Sequence, residues 1–129
     1  MKQQLEPNDA THEATIDWGT LEMLRSLRKP DGSDPGTKLI KLFISSSPAL
    51  LDSMQAALQA ASPASLAEVA HSMKSSSLNM GAVWLGELCT RLEKIGRGGT
   101  TDGAAELFDQ INSEYVAVAA AFTRKLSEN

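Results

Sequence analysis

One cysteine, two histidines and few aromatic residues are what this 129-residue chain has least of. A single thiol, Cys89, excludes an internal disulfide framework and fits a reducing, cytoplasmic compartment. No apolar run approaches the roughly 18 residues that a membrane span needs. The opening MKQQLEPNDATHEAT holds no apolar stretch of the kind a secretory signal carries. Positive charge is also short: 12 Lys and Arg against 16 Asp and Glu leave a net charge of −4, which argues against a nucleic-acid surface. Histidines occur only at 12 and 71, with no H-E-x-x-H or comparable pairing, so no metal site is expected. The glycine-rich GRGGTTDG lacks the Lys-Ser/Thr of an ATP-binding loop, so neither a bound cofactor nor a kinase site is expected either.

Alternating apolar and polar residues are missing too, and β-branched residues are scattered, so no strand is expected. What is present is 42% hydrophobic residues, enough for one globular domain with a buried core. Residues 1–14 lack periodicity and read as a flexible leader or linker, leaving 15–129 as the domain. Asp17 stands at a helix N-cap position before Trp18, Leu21, Leu24 and Leu27, and the turn-rich KPDGSDPG ends that short helix. A long helix is expected from Thr37 to about Ala60, with a kink near 44–47 caused by Pro48. Ser62 and Pro63 begin a third helix that ends at about Asn79, before Gly81. A fourth runs from Val83 to about Ile95 with Leu85, Leu88, Cys89, Leu92 and Ile95 on one face, and a fifth starts near Asp102. The fold class is therefore all-α: an antiparallel four-helix bundle with a short additional N-terminal helix.

His71 lies on the third helix, and the helical repeat of about 100° per residue decides which way it faces. Leu66, Val69, Ala70, Met73, Ser76, Ser77 and Met80 form the better apolar side. Ala67, Glu68, Lys74, Ser75 and Leu78 share the side of His71, which is thus expected to face outward. Lys74, one turn on, suits neutralising a phosphate. A solvated surface histidine beside an ordinary lysine gives the same pattern, so periodicity alone leaves both readings open. The serines at 72, 75, 76 and 77 have no G-x-S-x-G turn or aspartate partner, which weighs against a serine nucleophile.

The spacing as a whole is more specific. His71-x-x-Lys74, a run of small residues, Gly81-Ala82, Leu85, Cys89 and Leu92-Glu93 resemble the signature of histidine-containing phosphotransfer (HPt) domains of bacterial phosphorelays. The likeness is close over residues 70–93 and looser over about 16–126. It implies that His71 accepts a phosphoryl group from a receiver-domain aspartate and passes it to another receiver. It further implies that Lys74 neutralises the phosphate, and that Gly81 is the glycine turning the chain between the two central helices. Ser75 stands where the family usually has glycine, a small residue beside the site. Ala67, Glu68 and Leu78 are the candidate docking residues. Glu68 reads equally as a solvated carboxylate, and Leu78 as a side chain tucked under the neighbouring helix. The partners implied are response-regulator receiver domains, which bring the Mg²⁺, and a sensor or hybrid histidine kinase, of which this chain would be a free companion or the C-terminal module. The rival reading is a helical adaptor that binds a signalling partner through the same face without being phosphorylated.

Overall fold

The computed structural model describes residues 14–128. Among these residues there are five helices and no strand: α1 (Gly19–Arg25), α2 (Pro35–Gln59), α3 (Pro63–Asn79), α4 (Val83–Arg97) and α5 (Ala104–Ser127). Short connections make sequential helices antiparallel neighbours. Helices α2, α3, α4 and α5 each pack on the next, α5 returns to α2, and α1 lies outside this ring against α2. The chain is thus a four-helix bundle with an extra N-terminal helix. No described helix is long and apolar enough to cross a membrane.

Helix starts follow local chemistry. Asp34 caps α2, its carboxylate accepting from Thr37 N at 2.7 Å, so the helix begins two residues before the expected Thr37, with Pro35 in its first turn. Ser62 caps α3 in the same way through Ser65 N at 3.3 Å, ahead of Pro63. Asp17 does not cap α1 as expected: its carboxylate accepts from Gly19 N at 3.0 Å and closes a turn in front of the helix. Helix α2 continues through Pro48 without a break in its helical residues. Helix α5 begins at Ala104, near Asp102 as expected, after Gly103 in the left-handed region.

The core is continuous across the ring. Leu66, Ala70 and Met73 of α3, Leu85, Leu88, Cys89 and Leu92 of α4, and Ile111, Val118 and Phe122 of α5 are fully buried. Each large apolar side chain so placed contributes about 1.5–3 kcal/mol before entropy is counted. Cys89 belongs to this core, and burial pushes its thiol up to about 12, so it packs as a small hydrophobe. Phe122 links three elements: Trp18 meets it edge-on at 5.6 Å and Phe43 at 5.5 Å. Helix α1 buries only Leu21; Met23, and Leu27 just beyond the helix, are more than half exposed.

The N-terminal segment also holds the turn between α3 and α4. Asp17 N donates to Gly81 O at 2.7 Å, and Gly81 has φ 82°. A Cβ on Gly81 would sit 2.1 Å from the Asp17 carbonyl oxygen, so both the conformation and the space demand glycine. The expected turn at Gly81 is present, with this added reason for it.

Candidate functional site

Helices α3 and α4 leave the Gly81 turn as an antiparallel pair, and glycines on α4 let their backbones approach. Leu78 of α3 lies over Gly86, where a Cβ would come within 2.3 Å of its Cδ2. Further along, a Cβ on Gly96 would lie 2.7 Å from Pro63 O and 2.9 Å from Ala67 N. Between these two contacts His71 and Lys74 of α3 face Glu93 of α4.

Glu93 organises the site. Its side chain is only 8% exposed, yet it takes three polar partners. Lys74 Nζ lies 2.8 Å from Oε1, while His71 Nδ1 at 3.0 Å and Arg97 Nε at 2.8 Å both meet Oε2. Hydrogen bonding from Lys74, then from Arg97 and His71, outweighs burial and holds the carboxyl down to about 2. It is therefore ionised at neutral pH and acts only as an acceptor. The proton on the shared edge then belongs to His71 Nδ1, which donates to it. In the neutral ring the free lone pair is left on Nε2. The His71 side chain is 53% exposed, so Glu93 fixes one edge of the ring while the other stays open to a partner.

The residues expected to surround His71 fall into two groups. Glu68, Ser75 and Leu78 are exposed on its side of α3, as the periodicity predicts. Ala67 is not: it is 5% exposed, sealed against the bare backbone of α4 at Gly96, and offers almost no surface to a partner. Lys74 is largely covered and paired across the seam with Glu93. Glu93 and Arg97 were missed as members of the site. Glu93 interrupts the apolar face of α4 between Leu92 and Ile95, and Arg97 follows it by one turn; that carboxylate with an i+4 guanidinium was the available signal. On the inner side, Ser76 Oγ bonds back to Met73 O at 3.2 Å, whereas Ser77 Oγ is buried with no partner among the described residues. Trp84, in the first turn of α4, is half-buried, with the Arg91 guanidinium 5.0 Å above its ring.

No group of three or more metal-ligating side chains occurs among the described residues; the site presents an open imidazole on an ion-pair base. Comparison with known proteins agrees with the architecture. Residues 38–121 match the Hpt domain family, and the chain belongs to it. The crystal structure of histidine-containing phosphotransfer protein B from Pseudomonas aeruginosa PAO1 is similar, with a TM-score of 0.80 and 31% sequence identity over 89% of this chain and 96% of that one. No curated protein sequence matches. Membership makes the chain a phosphotransfer domain of phosphorelay signalling, a phosphocarrier rather than a kinase, of the kind that works with receiver domains and kinases.

Proposed function

We propose that His71 is the phospho-acceptor, taking a phosphoryl group from the aspartyl phosphate of one receiver domain and delivering it to the aspartate of another. The observation that carries this reading is the 3.0 Å contact from Nδ1 to Glu93, which leaves Nε2 as the nucleophile on the exposed edge. In the forward step Nε2 attacks phosphorus, the N–P bond forms as the P–O bond to the aspartate breaks, and the aspartate leaves as a carboxylate. No proton has to move, because Nε2 carries none in this tautomer. The ring gains positive charge as the N–P bond forms, and the buried Glu93 carboxylate lies where that charge develops. Such a preorganised group stabilises the transition state more than the ground state.

Lys74 and Arg97 hold Glu93 in place and put positive charge beside the incoming phosphoryl group. Positioning and charge neutralisation are most of what phosphoryl transfer asks of a protein. The receiver supplies the Mg²⁺ and the acidic pocket. Its docking surface here is the exposed face of α3 that carries Glu68, His71, Ser75 and Leu78, where the small Ser75 leaves room beside the ring. The test is incubation with a phosphorylated receiver and Mg²⁺, which should give an acid-labile, base-stable phosphoprotein. Label retained by His71→Gln would remove His71 from the role.

A further inference from the structure

We infer that Gly96 is a positioning residue for the phosphotransfer site, setting the His71–Glu93 hydrogen bond through the depth at which α4 sinks onto α3. The inference rests on the reading of His71 given above. It starts from where the seam between the two helices is tight. At Gly96 the obstacles to a Cβ are backbone atoms: Pro63 O at 2.7 Å, Ala67 N at 2.9 Å and Ala67 Cα at 3.1 Å. At Gly86, the other tight point, the obstacle is the end of the flexible Leu78 side chain, which can swing aside. Only the Gly96 contact fixes the distance between the helix axes.

The site lies one turn from that contact on both helices. Glu93 precedes Gly96 by three residues, and His71 follows Ala67 by four. A side chain at 96 lifts the last turns of α4 away from α3, since backbone at 2.7–3.1 Å cannot rotate out of the way. A hydrogen bond of 3.0 Å weakens steeply over such a displacement. Arg97 lies on the same helix as Glu93, so their pair survives the lift; the contacts that span the seam, to His71 and Lys74, are the ones lost.

The experiment compares Gly96→Ala, Gly98→Ala and Glu93→Ala by ¹⁵N NMR of the His71 ring and by phosphotransfer rate. Gly98 has φ −77° and no atom closer than 3.4 Å to an added Cβ, so its variant controls for helix propensity in the same turn. Gly96→Ala should lose the Nδ1–H tautomer signal and slow transfer by at least tenfold, as Glu93→Ala does, and Gly98→Ala should change neither. In the Gly96→Ala/Glu93→Ala double variant the rate should fall no further than in Glu93→Ala alone, because both act through the contacts that Glu93 makes across the seam. A wild-type tautomer in Gly96→Ala, or rate losses that multiply in the double variant, would overturn the inference. If Gly96→Ala fails to fold, Ala67→Ser adds one atom to the opposite side of the same crossing and should give the same loss of signal; its retention counts against Gly96. Absence of phosphoryl uptake by the wild-type protein would instead refute the role of His71, and the NMR comparison still decides the role of Gly96.

Discussion

Replacing Glu93 by alanine removes the acceptor that fixes the His71 ring and the anion that neutralises Lys74 and Arg97. Breaking a fully buried charge pair costs about 3–5 kcal/mol. Here two of the three partners reach solvent: His71 is 53% and Arg97 62% exposed, and only Lys74, at 26%, is largely covered. Rehydration of those groups reduces the loss to about 1–2 kcal/mol of unfolding free energy. The melting temperature should therefore fall by only ~3–12 °C, leaving a folded protein at room temperature. The effect on transfer is larger in relative terms. A hydrogen bond to a charged group is worth about 1.5–3 kcal/mol, which corresponds to a rate lower by ~10–150-fold if the bond strengthens as charge develops on the ring. Glu93→Gln retains an acceptor without the charge and should fall between alanine and wild type. The assay is single-turnover transfer from a phosphorylated receiver, with circular dichroism to confirm folding. A folded Glu93→Ala protein that transfers within twofold of wild type would refute the reasoning.

Three further outcomes follow from the same geometry. Lys74→Ala should leave the fold intact and slow transfer by roughly 5–30-fold, or shorten the phosphohistidine lifetime, through loss of one charge-assisted contact of about 1–2 kcal/mol; unchanged kinetics would remove the lysine from the mechanism. Gly81→Ala combines a φ of 82° with a Cβ 2.1 Å from the Asp17 carbonyl, and should cost about 2–4 kcal/mol in urea titrations, whereas a loss below ~1 kcal/mol would contradict the strap between Asp17 and the turn. Glu93, held down to about 2, supplies stability that is fully present above the roughly 4.3 of an unfolded glutamate and is lost as pH falls towards 2. The urea midpoint of wild type should drop more steeply over that window than that of Glu93→Gln, and parallel curves would argue against the ion-pair base.

The sequence carried the bundle because its signals are local and mutually consistent. Ser62-Pro63 starts α3, Gly81 ends it, and the Leu85/Leu88/Leu92 stripe faces inward as its spacing requires. The outward direction of His71 was legible for the same reason, since one side of α3 has four sizeable apolar residues and the other has none but Leu78. What periodicity cannot express is how deeply two helices sink into each other. Ala67 is on the correct angular side for exposure, yet it is buried because Gly96 admits its backbone. Lys74 likewise points to the expected side, but its partner lies 19 residues on, across the seam, where no spacing rule on α3 reaches. Glu93 was in view as part of a longer motif, and its function became visible only when α4 was placed against α3.

The most direct test of the central claim is to locate the phosphoryl group on the ring. Phosphorylated protein carrying ¹⁵N-histidine, examined by ³¹P–¹⁵N coupling, should show a single bonded nitrogen, Nε2 of His71, with Nδ1 still protonated against Glu93. A phosphoryl group on Nδ1, or on any residue other than His71, would contradict the account.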